Sequence, residues 1–344
     1  MSGFHRPGTR RAWLARLLPF LLLPLLAAWL LRQAPLAEIV QVLASIEPAA
    51  LAVLIGFNLF AMLFFSSRWW IILRSLGQLL PYFAALRYRT AAFAIAYLTP
   101  GSQFGGEPLQ VYALSSRHNL SSATATASVT LDKLFELLSN ATFLAIGISV
   151  ALGGRSVLDD SPLSRWFPLL LAALPLAYVL ALAGGRAPLT GLSERLALRL
   201  RKTGQPVMRT ARIDRFSGFI RQVESEANLF LRRRPAALLA AILAGGLIWA
   251  LSLAEYWLSL YILGARLSLP QTIAALTAAR LAFLTPLPGG LGALEAGQVL
   301  ALEALGFSPA VGVAVSLWIR LRDLSIGLLG LWWGAGITRP VRTG

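Results

Sequence analysis

Long runs of apolar residues dominate the chain, and several have the length of a bilayer crossing. A transmembrane helix needs about 20 predominantly apolar residues. The runs that we interpret as full spans are Trp13 to Leu31, Ala49 to Leu73, Ala123 to Leu152, Trp166 to Ala183, Ala236 to Leu263, and Ala310 to Gly336. Basic residues precede the first run, as in a signal peptide, but similar runs follow it, so we interpret it as a retained helix. The pattern predicts an all-α polytopic membrane protein with six full transmembrane helices in a single membrane domain, residues 1–344.

Two further apolar stretches are interrupted at their centres by proline and glycine. They run from Ala84 to Leu114 and from Pro270 to Leu305. The pieces on either side of each break are too short for two comfortable crossings. We therefore predict two re-entrant helical hairpins, in which a half-helix enters, turns at mid-depth and returns to the side of entry. Such backbone is tolerated only where protein or a cavity covers it.

The sequence repeats itself at a nearly constant offset. Three separated matches are Trp70 with Trp257 (257 − 70 = 187), Leu98 with Leu284 (284 − 98 = 186), and Lys133 with Arg320 (320 − 133 = 187). A constant offset across separate segments indicates an internal duplication. We predict that residues 49–152 form a first repeat of span, hairpin and span, and that residues 236–336 form the second.

Basic residues indicate which side of the membrane each loop occupies, because cytoplasmic loops collect Lys and Arg. The chain has 31 Lys and Arg against 15 Asp and Glu, a formal charge of +16. Arginines crowd residues 186–234 and also occur near both termini. The short segments around Arg74, Arg87, Arg89 and Arg117 carry further positive charge. We predict that the basic loop 186–234, these short segments and both termini are cytoplasmic, and that the protein lies in the inner membrane.

This orientation makes the two repeats inverted relative to each other. The first hairpin enters from the inside and the second from the outside. Inverted repeats whose broken helices meet near the middle of the membrane are typical of secondary transporters. Because membrane topology explains the positive charge, we expect no nucleic-acid partner. The loop 186–234 is interpreted either as an amphipathic segment lying on anionic lipid or as an ordinary basic loop.

The amino-acid composition excludes most kinds of catalytic site. Hydrophobic residues make up 57% of the chain and charged residues 13%, which argues against a soluble enzyme. The chain has no cysteine and two histidines, His5 and His118. Disulfides, a thiol nucleophile and cysteine-ligated metals are therefore excluded, and a histidine-built metal site is not expected. We expect no enzymatic activity, no metal and no cofactor.

Each predicted hairpin breaks at a proline that is followed by a pair of glycines. The pairs are Gly105-Gly106 and Gly289-Gly290. A half-helix begins after each pair, and its first amides have no partner within the helix, so its positive dipole end favours an anion such as phosphate. The alternative is a tight turn whose small residues let helices pack closely. Because the motif occurs in both repeats, we predict that the four glycines contribute to a binding site.

Charged residues within the apolar segments are the other candidates, because an ion at membrane depth is costly and is functional by default. Those that adjoin the two breaks are Glu107, Lys133, Glu136, Arg280, Glu295, Arg320 and Asp323. The two glutamates that follow the breaks either accept hydrogen bonds from the returning turn or bind a cation or proton. In each repeat, a base and an acid three residues apart share a helix face, Lys133 with Glu136 and Arg320 with Asp323. Each pair either locks its helix or offers its base to a phosphate.

The charges expected at depth do not balance. The bases are Lys133, Arg280, Arg320 and Arg322, and the acids are Glu107, Asp132, Glu136, Glu255, Glu295 and Asp323. The excess of acid is explained by protonation of some carboxyls, by a bound cationic group, or by an error in the assigned depths. A stripe of hydroxyl side chains, Thr124, Thr126, Ser128 and Thr130, also lies on the span after the first hairpin.

The motifs of both hairpins carry a resemblance to a known family. The segments concerned are Thr99 to Tyr112 (TPGSQFGGEPLQVY), Leu131 to Leu138 (LDKLFELL), Leu284 to Gly297 (LTPLPGGLGALEAG), and Ile319 to Gly327 (IRLRDLSIG). With these segments the chain resembles the lysylphosphatidylglycerol synthase transmembrane family, also called the flippase-like or UPF0104 family. The resemblance implies a flippase-type membrane domain, which in fused members moves aminoacylated phosphatidylglycerol across the inner membrane. Those members also carry a soluble aminoacyl-transferase domain, which these 344 residues lack, so we expect no synthase activity.

Three functions remain open at this point. The first is a flippase or transporter that moves an anionic or aminoacylated phospholipid, or an isoprenoid- or hopanoid-type lipid, with the glycines and charges named above binding the head group. The second is a lipid-binding or accessory protein for a separate lipid-modifying enzyme, without transport. The third is a membrane-embedded head-group transferase, which would depend on carboxylates alone. Duplicated charges beside the two predicted hairpins favour the first.

Overall fold

The computed structural model describes residues 40–42, 44, 46–99, 105–151, 162–202, 207–285 and 287–337. These residues are helical throughout, apart from short connections, and they contain no strand. The helices, numbered along the chain, are α1 (Pro48–Phe64), α2 (Ser67–Ser75), α3 (Tyr82–Leu98), α4 (Glu107–His118), α5 (Ser122–Ala151), α6 (Pro162–Ala183), α7 (Pro188–Lys202), α8 (Val207–Arg233), α9 (Pro235–Ile262), α10 (Leu269–Ala282), α11 (Ala293–Glu303) and α12 (Pro309–Gly334). The prediction of an all-α protein is confirmed for this part of the chain.

Within the described residues, three helical segments are long and apolar enough to cross a membrane. They are Pro48–Ser75, which joins α1 and α2, together with Ser122–Ala151 and Pro235–Ile262. All three coincide with predicted spans. Their surfaces expose large apolar side chains such as Leu59 and Leu243, as expected of helices that contact lipid rather than water.

The other predicted spans have different outcomes. Part of α6 and part of α7 make a fourth apolar segment when they are counted together, but they are bent by 92° relative to each other. The predicted span Ala310 to Gly336 is the helix α12, whose three closely spaced charges set it apart from the apolar segments. The predicted span Trp13 to Leu31 lies outside the described residues. The count of six spans therefore stays a prediction.

Both predicted hairpins are broken where the sequence indicates. The first stretch divides into α3 and α4, and the second into α10 and α11. Residues 100–104 and 286, at the two breaks, lie outside the described part of the chain. A short 3-10 turn, Pro288–Gly290, precedes α11, and within it Gly289 and Gly290 have φ of +55° and +61°. Residues other than glycine rarely adopt such positive φ angles, which explains the glycine pair in this turn.

The two halves of the chain repeat a local contact at the predicted offset. The indole Nε1 of Trp70 donates to the carbonyl oxygen of Leu80 at 2.8 Å. The indole Nε1 of Trp257 donates to the carbonyl oxygen of Leu267 at 3.3 Å. In each half the tryptophan therefore fixes the loop that leads into the first helix of a hairpin. The inversion of the two halves across a membrane stays a prediction.

Each hairpin packs on the last helix of the other half. Helix α3 packs along α12, and α10 packs along α5. Small residues permit this approach, since a Cβ on Gly330 of α12 would collide with the carbonyl oxygen of Thr90 on α3. In the other pair, a Cβ on Gly147 of α5 would collide with the hydroxyl of Thr277 on α10. This reciprocal packing brings the charged faces of α3, α5, α10 and α12 together.

The basic segment 186–234 consists largely of two helices, α7 and α8, with α8 packing along α7 and against α5. The carboxylate of Glu224 on α8 is 1% exposed and fixes this arrangement. It accepts from Tyr178 Oη at 2.9 Å, from the amides of Leu189 and Thr190 at 2.9 Å each, and from Thr190 Oγ1 at 2.7 Å. A carboxylate at the amino end of α7 satisfies two amides that have no partner within that helix.

Candidate functional site

A cavity of about 310 Å³ is lined by helices from both halves of the chain. Its walls come from α1 to α5 and from α9, α10 and α12. The charged residues that line it are Arg68, Arg89, Lys133, Arg280, Arg322, Glu107, Asp132, Glu136, Glu255 and Asp323. Five basic and five acidic side chains therefore meet in one cavity, and its remaining lining is largely apolar and aromatic.

The first charge cluster joins α2, α3 and α5. Asp132 accepts from Arg68 Nε at 2.7 Å and also binds Arg89. Glu136 accepts from Arg89 Nη2 at 3.1 Å and from Lys133 Nζ at 2.8 Å. The side chains of Arg68 and Asp132 are each 5% exposed. At this burial the loss of one partner leaves an uncompensated charge, which costs about 3–5 kcal/mol.

The arginines of this cluster correct two parts of the sequence interpretation. The positive-inside rule predicts Arg89 in a cytoplasmic loop, but this residue lies within α3 and its side chain is 12% exposed. Arg68 is not among the candidates that the sequence indicates. With both included, six bases face the six acids expected at depth, so the predicted acidic excess is wrong. The repeat offset indicates Arg68, because this residue lies 187 residues before Glu255, one of the acids expected at depth (255 − 68 = 187).

The second charge cluster joins α9 and α12. Arg322 binds Glu255 and donates to Asp323 Oδ1 from Nη2 at 2.8 Å and from Nε at 2.9 Å. In the first half of the chain the predicted pair Lys133–Glu136 forms. In the second half the equivalent pair does not form, because Asp323 is bonded to its neighbour Arg322. Arg320, the expected partner of Asp323, points elsewhere. The reason is that the side chain of Glu295, in the second hairpin, reaches Arg320.

Arg320 ties the turn of the second hairpin to α12. It binds both carboxylate oxygens of Glu295, with Nη2 at 2.8 Å from Oε2, and donates from Nη1 to the carbonyl oxygen of Gly289 at 3.1 Å. The carboxylate of Glu295 also accepts from the amide of Gly292 at 2.8 Å. Carbonyl oxygens of the glycine turn thus face a base. This arrangement matches the first of the two interpretations of Glu295, an acceptor for the returning turn.

The first hairpin shows a related arrangement at Glu107. Its Oε2 accepts from the amide of Gly105 at 2.8 Å, and its Oε1 lies 3.3 Å from Lys133 Nζ. Gly106 is buried, and a Cβ there would collide with the backbone of Ala92 on α3. The glycine pair therefore lets the start of α4 pack directly on α3. Around Gly106 the structure matches the packing alternative, and binding by its backbone stays a prediction.

Arg280 differs from the other bases of the cavity. Its guanidinium carbon lies 4.8 Å from the ring centre of Trp249, which is itself stacked on Phe143 at 4.3 Å. Its Nε is buried and has no hydrogen-bond partner. Among the described residues, Arg280 makes no ion pair, whereas Arg68, Arg89, Lys133 and Arg322 each bind at least one carboxylate.

The predicted site residues fall into two groups. Those that line the cavity are Gly106, Glu107, Lys133, Glu136, Arg280 and Asp323. Those outside its lining are Gly105, Gly289, Gly290, Glu295 and Arg320. Tyr97 connects the groups, because it lines the cavity and its ring lies against Gly289. In the described part of the chain, no cluster of His, Asp and Glu side chains has an arrangement that would hold a metal ion.

The comparison with known families decides the identity of this membrane domain. The family model of the lysylphosphatidylglycerol synthase transmembrane region matches residues 16–330. The chain belongs to this family. A relative described as a UPF0104 membrane protein, from Methanothermobacter thermautotrophicus, is 27% identical over 311 residues, which cover 86% of this chain and 87% of the relative. This member of the lysylphosphatidylglycerol synthase transmembrane family is thus a membrane-embedded helical protein whose matched region includes both hairpins and the charged cavity.

Proposed function

We propose that this protein moves an anionic lipid between the two leaflets of the inner membrane, and that the lipid head group binds in the charged cavity. The observation that carries the proposal is Arg280, a base held at the cavity wall without a carboxylate partner among the described residues. A guanidinium over the face of an indole is held by a cation–π contact that uses none of its N–H donors, and such a group binds phosphate or carboxylate oxygens in a bidentate manner.

The pairing of the other charged side chains supports the choice of an anion. Every acid that lines the cavity is bonded to a base, so none is left to attract a cationic head group. The five bases and five acids of the lining cancel in formal charge, but Arg280 is the one base among them that no carboxylate binds in the described part of the chain, so its charge has no direct partner. A bound phosphodiester would neutralise this charge within the low-dielectric interior, where an unpaired ion is costly. Among the cargoes open from the sequence, this favours lipids that carry a phosphate.

Transport itself is proposed from the architecture. We take the chain to have six spans and two inverted repeats, with both termini in the cytoplasm. The reciprocal packing of α3 on α12 and of α10 on α5 supports this arrangement. Inverted repeats that rock around a midplane site give alternating access. The proposal assigns no bond-breaking chemistry to the cavity.

Purified protein in vesicles tests the proposal. The vesicles carry a trace of phospholipid labelled on an acyl chain, either with an anionic phosphoglycerol head or with a zwitterionic phosphocholine head. A membrane-impermeant quencher is then added outside the vesicles. Labelled lipid of the inner leaflet is protected from it, so the fluorescence that remains measures the lipid in that leaflet. The proposal predicts that the protein abolishes protection of the anionic lipid and not of the zwitterionic lipid. Protection of both lipids equal to that in protein-free vesicles contradicts transport, and binding of the anionic lipid without transfer would identify a lipid-binding protein instead.

A further inference from the structure

A second opening, a cleft of about 700 Å³, lies between α4 and α5. Its walls are formed by Glu107, Pro108, Val111, Tyr112 and Ser115 on α4, and by Ser122, Thr126, Val129, Thr130, Lys133, Leu134 and Leu137 on α5. The α5 residues form a single helical stripe that is about 22 Å long at 1.5 Å per residue. Pro108, Tyr112 and Ser122 are exposed, so the cleft opens to the outside of the bundle.

The cleft has a polar end and an apolar end. Hydroxyl side chains lie toward the turn that joins α4 to α5, namely those of Ser115, Ser122, Thr126 and Thr130. The hydroxyl oxygen of Ser115 is buried and has no hydrogen-bond partner. At the opposite end, Leu134, Leu137 and Pro108 are apolar, and the ion pair of Glu107 and Lys133 lies beside them, on the side shared with the charged cavity. Apart from this ion pair, the cleft has the same division as a phospholipid, with a polar head and an apolar chain along its length.

The cleft adjoins the charged cavity through shared residues. Glu107, Val129 and Lys133 line both spaces. The ion pair between Lys133 Nζ and Glu107 Oε1, at 3.3 Å, lies at this boundary, and both side chains are partly exposed. This contact is longer than the 2.8 Å contact of Lys133 with Glu136, so it is the weaker of these two and is the one that a charged head group can replace.

We propose that this cleft is a lateral entry site for one phospholipid, with its head group along the hydroxyl side chains and an acyl chain beside Leu134 and Leu137. From there the head group passes the Glu107–Lys133 pair into the cavity. The inference rests on the proposed function for the direction of travel, but the binding of a lipid in the cleft stands independently of transfer. Of the predicted hydroxyl stripe on α5, Thr126 and Thr130 line the cleft and gain a role as part of its polar wall. Thr124 and Ser128 lie outside the cleft lining, where Thr124 contacts Ser121 and Ser128 accepts from Trp69 Nε1.

Cross-linking to single cysteines tests the occupant, because the natural chain has none. Thr126→Cys places a thiol at the polar end of the cleft. Leu331→Cys is the matched control, since Leu331 is 46% exposed and lies near the end of α12. The guanidinium of Arg117, just before the α4–α5 turn, binds the carbonyl oxygens of Gly336 and Ile337, so both thiols lie at the same end of the molecule.

Both variants are reconstituted in vesicles that contain a phosphatidylethanolamine with a maleimide on its head group. A bound lipid raises the local concentration of maleimide, so the adduct at position 126 should form on the order of tenfold faster than that at position 331. Equal rates in two variants of wild-type thermal stability overturn the entry site. A lipid with the reactive group at the end of its chain should give the reverse preference, with Leu137→Cys reacting faster than Thr126→Cys.

A blocking variant separates this inference from the proposed function. Thr126→Trp fills the cleft, and it should slow lipid transfer on the order of tenfold, whereas Leu331→Trp should not. If wild-type protein transfers no lipid, the proposed function fails, while preferential cross-linking at position 126 still establishes the entry site. If wild-type protein transfers lipid and Thr126→Trp transfers it equally well, the cleft is not the route.

Discussion

Arg280 lies with its guanidinium carbon 4.8 Å above the ring of Trp249, and in the described part of the chain no carboxylate binds it. The neighbouring base Arg322 binds two carboxylates, those of Glu255 and Asp323. Two arginines of one cavity thus have opposite roles. Arg322 completes an ion network, whereas Arg280 binds no carboxylate and is the group that we propose binds the lipid head group.

This difference predicts opposite effects on stability. Arg322→Gln leaves two acids of the cavity without a base, so the free energy of unfolding should fall by about 3–5 kcal/mol. Arg280→Gln breaks no ion pair and should leave stability unchanged or raise it, because an unpaired buried charge is removed. Thermal unfolding of both variants in the same detergent measures the difference. A loss at Arg280→Gln as large as that at Arg322→Gln would show that Arg280 is structural.

The stability of the protein should depend on the size of the side chain at position 106, in the glycine pair of the first hairpin. A Cβ on Gly106 would collide with the backbone of Ala92, so Gly106→Ala should lower stability by about 1–3 kcal/mol. Gly246, inside α9, has nothing within 4 Å of an added Cβ. Gly246→Ala is therefore the matched control, and it should be neutral or stabilising because alanine favours a helix by about 1 kcal/mol over glycine. Equal melting temperatures for the two variants would argue against close packing at Gly106.

The junction of α6, α7 and α8 should depend on the charge of Glu224. All four of its hydrogen-bond partners are donors, so Glu224→Gln turns one acceptor into a donor that faces donors. We expect a loss of about 1–3 kcal/mol and faster hydrogen exchange in α7. Glu226→Gln, two residues further on, removes the same charge outside this network. If Glu226→Gln speeds exchange in α7 as much, the effect is one of net charge and not of the buried contacts.

The predicted topology can be tested at two described positions that are exposed. Gly218, on the basic helix α8, should be cytoplasmic, and Arg266, in the loop before α10, should be outside. A maleimide that does not cross membranes should label Arg266→Cys in intact cells, and should label Gly218→Cys only after permeabilisation. The reverse labelling pattern is incompatible with the proposed orientation.

The sequence predicted the elements of the fold better than their contacts. Apolar length and the Pro-Gly breaks located the three apolar spans and the helix break in each predicted hairpin, because these features depend on local composition, while the re-entrant course of the hairpins stays a prediction. Ion pairing depends on which helices pack together, which no local pattern records. The positive-inside rule therefore placed Arg89 in a loop, although its partners on α5 hold it inside the bundle. The i,i+3 rule predicted the Lys133–Glu136 pair correctly. The same rule failed for Arg320 and Asp323, because Arg320 binds Glu295 of the second hairpin instead.

The most direct test of the central claim compares wild-type protein with Arg280→Gln and Arg280→Lys in the vesicle assay. We predict that Arg280→Gln abolishes transfer of the anionic lipid without a loss of thermal stability. Arg280→Lys should retain part of the transfer, because lysine keeps the charge but not the bidentate geometry. Transfer by Arg280→Gln at the wild-type rate, from protein of wild-type stability, would contradict the binding of the head group by Arg280.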